Sequence, residues 1–168
     1  MSLNNLEVEY LCKYLKIPLV TCCLQSELKD IKLQNGGYVI NYGNVENGGT
    51  HYVSFYVSDN YCFMFDSFGA PFDSDILSFV KPIRIKAYNQ WIIQDLNDDH
   101  CGFYCIAFIF YASKCRPDQL FKTSNNFISL FDSSTINNLP ILKNIFNHNL
   151  INPKDIININ KNIYNKIK

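Results

Sequence analysis

Cys101 has the surroundings of a nucleophile. The polar run Gln94-Asp95-Leu96-Asn97-Asp98-Asp99-His100 ends at Cys101-Gly102, and Phe103 to Ala112 is then apolar nearly all round. A helix apolar on every side is a buried one. The pattern therefore predicts a central helix with Cys101 in its first turn. The N–H groups of a first turn lack intrahelical acceptors, and the helix dipole is positive there, so an anion is favoured. A cysteine at that position has its thiolate stabilised, and the thiolate is the attacking form. Such chemistry needs a base within hydrogen-bond reach, a group that orients the base, and donors for an oxyanion.

Three histidines could supply the base. His100 is the immediate neighbour of Cys101, and neighbours on a helix do not face each other. His148 lies in the polar run Asn147-His148-Asn149, where a surface position is expected. His51 opens the alternating segment His51-Tyr52-Val53-Ser54-Phe55-Tyr56-Val57-Ser58, with His51, Val53, Phe55 and Val57 on one face. Asp59-Asn60 reads as a two-residue turn, and Tyr61 to Asp66 as the returning strand. Ser58 then opposes Tyr61, and counting back sets Val53 opposite Asp66. Asp66 thus shares a face with His51, one diagonal step away. Diagonal neighbours are roughly 7–8 Å apart at the backbone, a gap that an imidazole and a carboxylate can bridge. An odd loop length would separate them. His51 is the candidate base, and Asp66 the group that would fix its tautomer and stabilise imidazolium. Gln94, seven residues before Cys101, can offer an amide donor beside the Cys101 N–H.

Other readings of the same residues are blander. A histidine in a strand and an aspartate ending one are usually structural, and a lone glutamine in a loop is ordinary. Cys101, Cys105 and His100 could ligate a metal, but a fourth ligand is missing. Cys22-Cys23 could do metal or redox work, but adjacent cysteines point apart in regular structure and no paired motif follows. The conjunction of His51, Asp66, Gln94 and Cys101 favours nucleophilic catalysis.

The elements that must position these residues follow from pattern. Leu6 to Leu15 has helical spacing and Pro18 stops it. Asn35-Gly36-Gly37 reads as a turn, Tyr38 to Tyr42 as a short strand, and Asn47-Gly48-Gly49 as another turn. A loop at Ser67 to Pro71 leads to a short helix over 73–80. Pro82 to Tyr88 alternates as a partly exposed strand, and Trp91-Ile92-Ile93 reads as a further short one. Pro117 opens a helical piece to about Leu130, and a last one runs from about Pro140 to Leu150. No repeat or linker marks a boundary, so one domain over 1–168 is expected.

Composition bounds the function. The chain has 168 residues, 48% hydrophobic and 18% charged, which suits a globular domain with a substantial core. Fifteen basic residues balance fifteen acidic ones, so net charge gives no reason to expect nucleic acid or an anionic membrane. Only Lys154 to Lys168 leans basic, and a solvated, frayed end accounts for it. No segment approaches the roughly 18 continuous apolar residues of a membrane span, and the N-terminus lacks a signal-peptide layout. Seven scattered cysteines, an odd count, read as reduced thiols in an intracellular compartment.

The order His, Asp, Gln, Cys resembles the adenain and ubiquitin-like-protease clan of cysteine peptidases. The resemblance is carried by Gly48-Gly49-Thr50-His51-Tyr52, Phe65-Asp66-Ser67-Phe68-Gly69, Tyr88-Asn89, Gln94-Asp95-Leu96 and Cys101-Gly102-Phe103-Tyr104-Cys105, within about residues 36–112. The wording around Asp66 and Cys101 is similar to the branch in virophages, giant DNA viruses and Maverick/Polinton elements. Tyr52 stands where the family has tryptophan beside its histidine. The resemblance implies an α+β fold, with a mixed sheet carrying His51 and Asp66 against a central helix carrying Cys101. It implies His51 as general base, Asp66 as third triad member, Gln94 as oxyanion donor and Cys101 as nucleophile. No cofactor or metal is implied. The implied activity is hydrolysis of peptide bonds in viral capsid or virion precursors during maturation. The implied setting is the host cytoplasm or viral factory and the virion. Adenovirus relatives are activated by a peptide and by DNA, with Cys12, Cys22 and Cys23 as the thiols that could join a peptide partner. The alternatives are a protease removing ubiquitin-like modifiers from host proteins, and an inactive binding module on the same fold.

Overall fold

The computed structural model describes residues 2–42, 51–151 and 160–168. The Asn47-Gly48-Gly49 turn, the Gly48-Gly49-Thr50 piece and Lys154 lie outside the described residues. The architecture is α+β, built on a five-stranded mixed sheet in the order β1-β2-β3-β4-β5. The strands are β1 (Leu19–Leu24), β2 (Gly36–Asn41), β3 (Tyr52–Ser58), β4 (Tyr61–Phe65) and β5 (Ile85–Tyr88). The two outer pairs, β1 with β2 and β4 with β5, are parallel, and the central pairs are antiparallel.

The β3–β4 hairpin has the register expected from its turn. Ser58 pairs with Tyr61 and Ser54 with Phe65. Asp59 takes a left-handed φ of 52°, which aspartate tolerates better than most residues. The Asn35 side chain brackets this turn, accepting from Asp59 N at 2.9 Å.

Alternation divides the sheet into two apolar faces. Val53, Phe55, Val57, Cys62 and Met64 pack with Leu28, Phe72, Ile76 and Val80, under the 3-10 turn Gln25–Asp30 and helix α2 (Ser74–Phe79). Tyr52, Phe63, Phe65 and Val39 face the larger core. That core holds helices α1 (Asn5–Tyr14), α3 (Cys101–Ala112), α4 (Leu120–Ile128), α5 (Asn138–Ile145) and α6 (Lys161–Ile167). In α3, every residue from Cys101 to Ile109 is buried, as its uninterrupted apolar sequence requires. Cys22 belongs to the larger core and Cys23 to the smaller one, so these neighbours do point apart.

Three expectations are corrected. Gly36 and Gly37 are not a turn but the start of β2. A Cβ at Gly37 would lie 2.4 Å from Ile109 Cγ2, so the glycine is there to let α3 press onto the sheet. Trp91-Ile92-Ile93 forms no strand. Its hydrogen bonds go elsewhere: Ile93 N and Gln94 N both donate to Ser67 O, at 2.9 and 3.0 Å. The basic tail does not end in a frayed segment either, because residues 161–167 form α6, with Ile163 and Ile167 buried one helical turn apart.

Candidate active site

Asp66 follows directly on β4 and is 1% exposed. Burying a carboxylate requires partners, and Asp66 has them. His51 Nε2 lies 2.8 Å from Asp66 Oδ1, and Phe68 N donates to the same oxygen at 2.9 Å. The backbone of Asp66 is clamped by Asn89, whose Oδ1 accepts from Asp66 N at 2.9 Å and whose Nδ2 donates to Asp66 O at 2.6 Å. A tight turn follows, with Gly69 N donating to Asp66 O at 2.9 Å and Gly69 at φ 62°. A Cβ at Gly69 would meet Gln90 O at 2.9 Å, so this chain crossing needs glycine twice over.

His51 sits one residue before β3, its carbonyl accepting from Tyr42 N at 2.9 Å. Its ring packs on Phe68, with centroids 4.9 Å apart. Tyr52 does not cover the imidazole. It points to the other face, donating from its hydroxyl to Asn5 Oδ1 at 2.7 Å. With Nε2 held by Asp66, Nδ1 is the nitrogen left for Cys101; it is buried and, among the described residues, takes no other partner. Burial alone would push the His51 pKa down. Hydrogen bonding to Asp66 and then to the Cys101 side chain outweighs that, and the pKa rises from 6.5 to about 9.

Cys101 is the first residue of α3 and 5% exposed. Five of the other six thiols are buried as well. Burial pushes Cys12 up to about 12 and raises Cys22, Cys23, Cys62 and Cys105 as well. Those cysteines behave as small buried hydrophobes.

Gln94 is 1% exposed and its amide orientation is determined by its neighbours. Ser67 Oγ donates to Gln94 Oε1 at 2.6 Å, so Nε2 must face the opposite way, where it donates to Asp98 O. One N–H of the amide is thereby used on the loop that leads into Cys101, and the amide carries a second. Beyond Gln94, Trp91 and Ile92 are exposed and line a cavity of about 590 Å³ with Ile93, Ile128 and Phe131.

The four residues singled out in the sequence thus divide into His51, Asp66 and Cys101, which meet, and Gln94, held beside the Cys101 loop. Asn89 and Ser67 are supporting residues that pattern reasoning missed. Both lie inside quoted motif pieces, but a hydrogen bond between residues 23 or 27 positions apart has no sequence signal. His148 is exposed, as expected. The metal alternative finds no support: Cys105 Sγ donates to Tyr52 O at 3.4 Å, and both ring nitrogens of His100 are engaged, by Asp98 and by Lys166 O. Among the described residues, only Asp98, Asp99 and His100 are grouped closely enough to suggest a cation, and those engagements use up the imidazole. No helix among the described residues is long and apolar enough to cross a membrane.

No protein-family model matches the chain, and no curated protein does. Solved structures do match. A structure of an AvrA deletion variant with IP6 and CoA has 14% identity and a TM-score of 0.45, covering 96% of this chain and 67% of that one.

Proposed function

We propose that the protein is a cysteine endopeptidase, a single domain over residues 1–168, that cleaves viral capsid or virion precursor proteins during maturation. One observation carries the reading. An imidazole held by a buried carboxylate has its other nitrogen open to a cysteine at the N-terminus of the central helix. The sequence resemblance described above supports the substrate class.

In this reading His51 Nδ1 takes the Cys101 thiol proton, giving a thiolate–imidazolium pair steadied by Asp66. The thiolate attacks the peptide carbonyl carbon, and the oxyanion is held by the Cys101 N–H and the second Gln94 N–H. His51 returns its proton to the leaving amine as the C–N bond breaks. Water, deprotonated by His51, then hydrolyses the thioester and frees Cys101. Ser67 and Asn89 act through Gln94 and Asp66 as positioning residues.

The site of action would be the host cytoplasm or viral factory and the virion, with the precursor protein as partner. Activation by a peptide or by DNA belongs to the same reading, although the balanced net charge offers DNA little electrostatic attraction. The test is to co-express the candidate capsid precursor with wild type or Cys101→Ala and to sequence the new termini. New termini with wild type alone are expected. Cleavage of modifier-linked conjugates instead would make the protein a deconjugating protease. Absence of both, with no labelling of Cys101 by a thiol-reactive peptide probe, would leave a binding module.

A further inference from the structure

The last helix, α6, touches the nucleophile loop directly. His100 is the N-cap of α3, and its carbonyl accepts from Phe103 N at 2.8 Å and Tyr104 N at 3.2 Å. Whatever orients His100 therefore orients the first turn of α3, where Cys101 sits. The His100 ring is buried against Phe103, its Nδ1 faces Asp98 Oδ1, and its Nε2 donates to the backbone carbonyl of Lys166 at 3.0 Å. Lys166 is in turn anchored at the far end of the chain. Its ammonium donates to Glu7 Oε1 and Oε2 at 2.8 and 2.7 Å and to Ser2 O at 3.0 Å. Glu7 is already fixed by the capping box that starts α1, where its carboxylate accepts from Asn4 N at 2.8 Å.

A seven-residue helix cannot sustain itself in water. α6 is held by Ile163 and Ile167 in the larger core and by this network. The contact chain runs from the first turn of α1 through Lys166 to His100 and so to the backbone of Cys101. The side chains of Lys166 and Glu7 are mostly covered, 15% and 19% exposed, so the pair is shielded from water more than a surface ion pair.

We infer that α6 is a positioning element for the Cys101 nucleophile, acting through His100 with Lys166 and Glu7 as its anchor. The inference rests on the reading of Cys101 as nucleophile. Its consequence is that residues remote from the reacting atoms in sequence set the alignment of Cys101 with His51.

The experiment uses the full chain and measures alkylation of Cys101 by iodoacetamide across pH, with the labelled site located by mass spectrometry. The variants are Lys166→Met, Lys166→Arg and His100→Phe. Lys166→Met, which keeps the stem and removes the charge, is expected to slow labelling of Cys101 by about tenfold or more, because small misplacements of a reacting group are costly. His100→Phe, which keeps a ring against Phe103, should do the same, and the double variant should lose no more than the worse single one. Lys166→Arg should stay within about twofold of wild type, since it restores the cation to Glu7. Should His100→Phe fail to fold, the Lys166→Met and Lys166→Arg pair decides alone. An unchanged labelling rate and pH profile in Lys166→Met, whatever its Tm, would overturn the inference and reduce α6 to packing. Labelling reads Cys101 itself, so this result is separate from whether any peptide is cleaved.

Discussion

His51 and Cys101 come within reach of each other although the side chains beside them pack on opposite faces of the sheet. His51 shares its parity with Val53 and Phe55, which belong to the smaller core, whereas Cys101 belongs to the larger one with α3. The two meet because neither lies within the sheet. His51 precedes β3 and Asp66 follows β4, so both stand past the open end of the hairpin, where α3 begins. The hairpin's register brings the imidazole and carboxylate together, and the helix brings the sulfur round the end.

The raised His51 pKa predicts a pH profile. Hydrogen bonds to Asp66 and Cys101 favour imidazolium in the folded protein, up to about pH 9 instead of 6.5. The sign follows: this stabilisation is fully present below about 6.5 and is lost as pH rises through about 9. Urea unfolding across this range should show stability falling as pH rises, and Asp66→Asn should flatten that fall. Iodoacetamide labelling of Cys101 needs the thiolate that imidazolium steadies, so near neutral pH it should be slower in Asp66→Asn than in wild type, and the two rates should converge above about pH 9. A wild-type profile matching that of Asp66→Asn would contradict the pairing.

Gln94→Ala should lower turnover of a cleaved peptide by roughly 10²–10³, as for other oxyanion donors, with little change in KM. Ser67→Ala removes only the bond that orients the amide, so about a tenfold loss is expected, the worth of one buried hydrogen bond. A loss in Ser67→Ala equal to that in Gln94→Ala would mean that Ser67 does more than orient.

Asn89→Ala deletes the clamp on both backbone groups of Asp66. Asp66 O keeps its bond from Gly69 N, but Asp66 N loses its acceptor, and a buried group left without a partner costs about 1–3 kcal/mol. The variant should unfold at lower urea and lose labelling of Cys101, whereas an exposed control such as Gln90→Ala should change neither.

Gly37→Ala places a methyl where Ile109 already sits, 2.4 Å from its Cγ2. Overpacking of this kind costs about 1–3 kcal/mol. Adding Ile109→Ala should recover part of the loss, because the two side chains contend for one space. Additive losses in the double variant would show that α3 is not pressed on β2 at this point.

What the sequence determined by itself is local and periodic. The apolar run after Cys101 could only be a buried helix, and the turn at Asp59-Asn60 set the parity that puts Asp66 with His51. Both conclusions rest on repeat distances inherent to the backbone. Tertiary structure decided what has no period. It turned Gly36-Gly37 from a turn into a strand, because a helix needed to approach there. It drew Trp91 to Ile93 out of any strand, because the Ile93 N–H, together with that of Gln94, was claimed by Ser67 O. It docked residues 161–167, whose two buried isoleucines are too few to signal a helix until a core exists to receive them. The meeting of imidazole, carboxylate and sulfur is also tertiary. Which way α3 enters the core depends on packing between residues far apart in sequence, and no local preference encodes that direction.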